Sequence, residues 1–237
     1  MDDLFPKIVN KVVILTIVVV TATILLVGVG VIGSIDVSPA DFHSSGEVIS
    51  TEGSIYLDRA GETTAVGEIE NDYGEAITDI TVIVSFYENG EEVGSVETEP
   101  LGAKVGDGQT VPFEAKYSEE GQPDSFSVSV DFTGTSEPAP EFDIEHEESH
   151  TAQDSVTVSG TAENTGDGTV ERPVALATFY NQEGEVIGAR SDRISPDSLE
   201  PGETGEFTIR YSTLGDVPSL ARDYTDYRIV IVNQQTS

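Results

Sequence analysis

The sequence predicts an all-β protein, two tandem antiparallel β-sandwich domains following one N-terminal transmembrane α-helix. Three observations carry that prediction: a long charge-free apolar run near the start, a block-by-block internal repeat, and short strands with period-two alternation between turn signals.

The apolar run is Val12 to Ile35, 24 residues without a charge, of which sixteen are Val, Ile or Leu. At a rise of roughly 1.5 Å per residue, a helix of that length spans about 36 Å, slightly more than the bilayer's hydrocarbon core. Its many β-branched residues are mediocre helix formers in water. In lipid every backbone group must be paired within the segment, and a lone segment does so only as a helix. The run is longer than the apolar region of a cleaved signal peptide, and no small-x-small cleavage site follows it. The expectation is therefore an uncleaved signal anchor. Lys7 and Lys11 flank its N-terminal end, and no Lys or Arg follows until Arg59. The positive-inside rule then places residues 1–11 in the cytoplasm and the rest, beyond the span 12–35, outside the cell.

The repeat begins with "GEIEN" (67–71), which returns as "GTAEN" (160–164), 93 residues on. "VSFYENGEEVG" (84–94) returns as "ATFYNQEGEVIG" (177–188), "FEAKY" (113–117) as "FTIRY" (207–211), and "FSVSVDF" (126–132) as "YRIVIVN" (227–233). Four blocks in one order indicate a duplication. The expected division is a juxtamembrane linker at 36–45, one domain over 46–133, a Pro-rich linker "GTSEPAPE" at 134–141, and a second domain over 142–237.

Each copy alternates as strands do. Ile80, Val82, Val84 and Phe86 fall on one face of a strand and Ile83 and Tyr87 on the other, the pattern of a central strand covered by a second sheet. "ENG" (88–90) and "NQEG" (181–184) read as hairpin turns, and "SLEPGE" (198–203) as a turn into the strand at Phe207. The segment "PSLARDYTDY" (218–227) is the one short helical candidate outside the membrane span.

These blocks resemble the FxLYD domain family of small immunoglobulin-like extracytoplasmic modules. The resemblance rests on the G-x-x-x-N block, the strand ending in Phe-Tyr, and the turn Leu199-Glu200-Pro201-Gly202. The namesake motif falls on Val84-Ser85-Phe86-Tyr87-Glu88 and Ala177-Thr178-Phe179-Tyr180-Asn181, where only the Tyr matches outright. The first copy has the looser turn "LGAKVGDG". The resemblance implies an immunoglobulin-like sandwich and an extracytoplasmic location, and supplies no catalytic residues.

Charge narrows the function classes. Asp and Glu number 44 against 11 Lys plus Arg, a formal charge of −33, and beyond residue 11 only Lys104 and Lys116 are lysines. A nucleic-acid partner is excluded on these grounds, because nothing neutralises phosphates. So large a charge strains a fold by self-repulsion unless salt screens it, and at 1 M the Debye length is about 3 Å. Abundant acids, scarce Lys and no Cys resemble the exported proteins of extremely halophilic archaea. Without cysteine no disulfide contributes, and none of the six Asn begins a glycosylation sequon.

Two strings imitate catalytic signatures. His146-Glu147-Glu148-Ser149-His150 spells H-E-x-x-H, the zinc-protease helix in which both His reach one ion and the Glu is the base. Its flanks are polar, a third ligand is missing at standard spacing, His43 is the one other histidine, and the repeat aligns 146–150 with the strand "GSIYL" (53–57). A strand holds residues i and i+4 about 13 Å apart, too far to share a metal. Gly28-x-Gly30-x-x-Gly33 spells the dinucleotide fingerprint but lies in the expected membrane span, where Gly30 and Ser34 offer at most a helix-packing face. The acidic segments "EHEE" (145–148), "NTGDG" (164–168) and "ENGEE" (88–92) match no EF-hand and read as solvated turns. Phe86, Tyr87, Phe179 and Tyr180 read as core and strand-surface residues. No catalytic, cofactor-binding or metal residues are assigned. The expected function is a non-catalytic cell-surface interaction or structural module, anchored in the lipid bilayer through 12–35 and contacting an envelope or membrane protein. A cation- or ligand-binding sensor or adhesin is the alternative, a zinc hydrolase through HEESH or a pilin-like filament subunit the remoter ones.

Overall fold

The computed structural model describes residues 48–50, 53–58, 61–152, 155–212 and 224–234. The expected membrane span, the linker 36–45, His43, the glycines at 28, 30 and 33, and most of the helical candidate 218–227 lie outside them. The described residues are all-β, with antiparallel sheets and no helix.

The first half runs β1 (Val48–Ser50), β2 (Ser54–Leu57), β3 (Thr63–Asn71), β4 (Ala76–Glu88), β5 (Glu91–Thr98), β6 (Lys104–Val105), β7 (Thr110–Tyr117) and β8 (Ser125–Thr135). The second runs β9 (Phe142–Ala152), β10 (Ser155–Asn164), β11 (Val170–Glu171), β12 (Pro173–Tyr180), β13 (Val186–Arg193), β14 (Ser198–Leu199), β15 (Thr204–Ser212) and β16 (Asp226–Asn233). Strands β4, β5, β6 and β8 make sheet S1, and β1, β2, β3 and β7 make S2. Strands β13, β12 and β16 make S3, and β15, β10 and β9 make S4. One apolar core lies between S1 and S2, centred on Ile69, Val82, Val84, Phe86 and Phe113. The other lies between S3 and S4, centred on Val158, Phe179, Ile187, Ile209 and Tyr211.

The sequence repeat is repeated in the backbone. Ser54 pairs with Val66, and Glu147 with Ser159; both members move by 93 positions, so β2–β3 and β9–β10 share one register. The β4–β5 ladder slips between Phe86 and Tyr87, and the β12–β13 ladder between Phe179 and Tyr180. Asp79 and Arg172, again 93 apart, both take positive φ, 50° and 49°. At the hairpin after β4, Asn89 and Gly90 both have positive φ, the geometry a two-residue turn needs to match strand twist. In each core the Tyr of the later strand lies against the Phe of the central one, at 5.2 Å for Phe86–Tyr117 and 4.1 Å for Phe179–Tyr211. Each Tyr hydroxyl donates to a backbone carbonyl, Val93 or Ile187. The next residue is glycine in both copies, and a Cβ there would stand 3.0 Å or 3.1 Å from the Tyr side chain.

The asparagines of the G-x-x-x-N blocks explain why that block recurs. Asn71 and Asn164 are fully buried. Asn71 Nδ2 donates to the carbonyls of Glu75 and Val105, and its Oδ1 accepts from the Tyr73 amide. Asn164 Nδ2 donates to Gly168 and Leu199, and its Oδ1 accepts from Gly166. The backbone carbonyl of each Asn also accepts from the turn, from Gly108 or Gly202. One side chain thus closes its own loop and ties it to the Val105 or Leu199 turn. The looser "LGAKVGDG" does the same work as "SLEPGE". The closing strand predicted at 126–132 extends to Thr135, so the first two residues of the expected linker are the last two of β8, where Gly134 and Thr135 still pair with Ile77 and Ala76.

Replacing either Asn by Ala takes the side-chain partner from two carbonyls, one of them in a buried bond, and from one amide. We expect Asn71→Ala and Asn164→Ala each to lower stability by about 2–4 kcal/mol, read by denaturant unfolding in molar salt.

Candidate functional site

Strands β3 and β12 are buried on both faces. On β3 the odd positions Ala65, Ile69 and Asn71 face the S1–S2 core, so Thr64, Val66 and Glu68 point the other way, toward S3. On β12 Ala175, Ala177 and Phe179 face the S3–S4 core, and Val174, Leu176, Thr178 and Tyr180 point toward S2. Val174, Leu176 and Val232 accordingly join the first core. The two halves therefore meet sheet to sheet, in the order S1, S2, S3, S4. Loop contacts seal the margin: the Ala103 amide donates to the Asn233 carbonyl, and Gly53 bridges Val186.

Glu68 lies in the middle of this contact, 2 % exposed. Both of its carboxylate oxygens accept from the Tyr180 hydroxyl at 2.9 Å, and Arg228 Nη1 stands 3.6 Å from Oε2. The Arg228 guanidinium also covers the Tyr180 ring, 5.6 Å from its centroid. Burial, then the neighbouring Glu68, pushes the Tyr180 hydroxyl far above its ordinary range, so it stays a donor. Tyr56, on the S2 side, is likewise raised by burial and by Glu114. In the second core burial lifts Tyr211 to about 12, against the opposing pull of Arg190. The Thr64 and Ser54 hydroxyls are buried without a hydrogen-bond partner.

HEESH lies on β9, with His146 paired to Gly160 and His150 to Val156. The strand spacing keeps the two His apart, and their neighbours take other partners. His146 Nδ1 and the Tyr227 hydroxyl are 2.9 Å apart with the rings edge to face, while Tyr224 donates to Glu148 at 2.9 Å. "EHEE" is thus strand, not turn, because its residues alternate along the β10 ladder. Outside it, on the S4 face, Glu145, Glu147, Ser159, Thr161, Glu206 and Thr208 border an open depression of about 450 Å3. A cleft of about 520 Å3 lies between Lys104, the 138–141 segment and the 164–171 turn. "NTGDG" closes on its own Asn164, and in "ENGEE" the Asn89 amide donates to Asp124. Among the described residues no group of three or more His, Asp or Glu is placed to hold a metal ion.

Sequence reasoning placed Tyr180 among ordinary strand residues and passed over Glu68, Arg228, Tyr224 and Tyr227. One signal was available: the repeat puts Glu68 where the second copy has Thr161, a carboxylate mid-strand between Gly67 and Ile69.

No known family model matches the sequence, and no curated protein sequence matches it. Among solved structures, the exo-chitosanase CsxA of Amycolatopsis orientalis is 16% identical over 78% of this chain, at a TM-score of 0.28. Red sea bream transglutaminase is 10% identical over 78%, at 0.24. The chain spans about a quarter of the former's length and a third of the latter's, 26% and 32%. At such scores neither likeness carries an argument.

Three outcomes follow from the geometry. Tyr180→Phe removes the hydroxyl both Glu68 oxygens accept and should cost about 1–3 kcal/mol, whereas Arg228→Ala, at a half-exposed site, should cost under about 1 kcal/mol; equal losses in denaturant unfolding would refute the ranking. Tyrosines raised by burial favour the protonated fold, so their contribution is intact below the unfolded value near pH 10 and lost as pH rises from there through about 12, at up to about 1.4 kcal/mol per pH unit for Tyr211. Phenolate absorbance followed with unfolding should show late, coincident transitions. Metal analysis of protein dialysed with zinc should find no stoichiometric ion, and Glu147→Gln should leave zinc content unchanged.

Proposed function

We propose that the chain is a non-catalytic, membrane-anchored extracytoplasmic protein, two immunoglobulin-like sandwiches held out from the bilayer as a surface interaction or structural module. The observation that carries this reading is how the described chain spends its buried polar groups. Asn71, Asn164 and Glu68 each tie one piece of chain to another. They are scaffold groups, and a docked pair of sandwiches presents its outer surfaces as one body.

The membrane part rests on the sequence alone: the 24 charge-free residues Val12–Ile35 and the lysines before them. The resemblance to FxLYD modules supports the same location. The excess of 44 acids over 11 basic residues fits a protein working in concentrated salt, where the charge is screened and the acids keep the surface solvated.

Labelling intact cells with a membrane-impermeant amine reagent tests the placement. Lys116, whose side chain is half exposed, should react in intact cells, and Lys7 and Lys11 only after permeabilisation. Lys116 protected until lysis would overturn the topology. Crosslinking at native salt, followed by identification of co-purified proteins, tests the role. A reproducible protein contact on the sheet faces or edges supports an interaction module. Turnover of a substrate by the purified chain would sink the non-catalytic reading.

A further inference from the structure

Because the two halves share strand order and register, each face of one can be compared with its counterpart in the other. S2 presents Tyr56, Val66, Glu68 and Pro112 to S3. The residues in the same ladder positions of S4 are Ser149, Ser159, Thr161 and Glu206. S3 presents Val174, Leu176, Val186, Ala189, Val230 and Val232 to S2. Their counterparts in S1 are Thr81, Ile83, Glu92, Ser95, Ser129 and Asp131. The docked faces are mainly apolar around the bonded Glu68 carboxylate, with the Ser54 and Thr64 hydroxyls buried beside it. The matching outer faces are hydroxyls and acids, half-buried or exposed, with Ile83 the one apolar side chain retained among those six.

We infer that the stack is closed at two repeats: S2 and S3 are built to bind each other, while the outer faces of S4 and S1 are built to refuse a further copy of the chain. An S2-on-S3 contact is heterologous, using different surfaces on its two sides. Left open, it would add S4 of one copy to S1 of the next without end. Arrays of stacked repeats stop such growth by giving the terminal faces polar side chains. Here the mating of S4 with S1 would bring Glu147 and Glu206 of one copy toward Glu92, Glu97 and Asp131 of another, like charges against which the S4 face sets the single cation Arg210. Tyr87, the counterpart of Tyr180, would find Thr161 in place of the Glu68 carboxylate, and its hydroxyl already lies 3.2 Å from Ser127 Oγ. The face contact is therefore an intramolecular device, and it speaks against a head-to-tail filament built from this chain. The inference rests on the observed sheets and registers and not on the membrane or family reading.

The chain has no cysteine, so introduced thiols report these faces alone. Full-length protein carrying Ser85→Cys and Ser159→Cys, one thiol on each outer face, is oxidised in detergent at molar salt. No ladder of disulfide-linked copies is expected beyond the level of either single-cysteine variant; a ladder would overturn the inference. A graft gives the converse test. Ser149→Tyr, Ser159→Val and Thr161→Glu on S4 are combined with Glu92→Val, Ser129→Val and Asp131→Val on S1. At matched circular dichroism, the graft should grow in mass with concentration by light scattering, and the wild type should not. A folded graft that keeps the wild-type mass over a hundredfold concentration range would contradict the account.

Discussion

A strand covered on both faces has no water to turn to, so every polar group it carries must find its partner inside the protein. Strands β3 and β12 are under that constraint, and much of the structure follows from how it is met. On the core side of β3 the one large polar side chain is Asn71, and it is consumed in closing two turns. On the other side Glu68 is the buried carboxylate, and it faces the Tyr180 hydroxyl and Arg228. The apolar remainder, Val66 on one sheet and Val174 and Leu176 on the other, supplies the non-directional part of the contact. Glu68 adds direction, since a buried carboxylate displaced from its donors would be costly to leave unpaired. The unpaired hydroxyls of Thr64 and Ser54 show that the contact is not satisfied everywhere.

The all-β, antiparallel character of the described residues was legible because it depends on local periodicity. Ile80, Val82, Val84 and Phe86 alternate as a half-covered strand must, and all four are buried. The hairpin at Asn89-Gly90 was legible because positive φ at two successive positions selects those residues. The repeat aligned HEESH with a strand, and the structure places it on β9 in the register of its counterpart. The Asn of each G-x-x-x-N block stood out as a repeated letter, but its role did not. Its distant partners, Val105 and Leu199, are 34 and 35 residues away, and no local pattern encodes that distance.

The contact between halves was hidden for the same reason. β12 reads "PVALATFY", apolar on both sides, which a single sequence cannot distinguish from a central strand in an ordinary sandwich. Only comparison of equivalent ladder positions separates a strand covered once, β4, from one covered twice. The density of acids in "EHEE" resembles loop composition and reads as a turn, whereas the repeat alignment of the overlapping HEESH reads as the strand that the structure shows. On an edge strand such charges serve another purpose, discouraging edge-to-edge pairing.

The central claim is that the two halves stand as one unit through S2 and S3, and calorimetry of the full-length protein in molar salt tests it most directly. The account predicts a single heat-absorption transition for the β-rich part, because unfolding either half strips one buried face from the other. Two transitions in the wild type, each insensitive to a Leu176→Asp substitution in the contact, would show that the halves unfold independently and that the buried face between them holds nothing together.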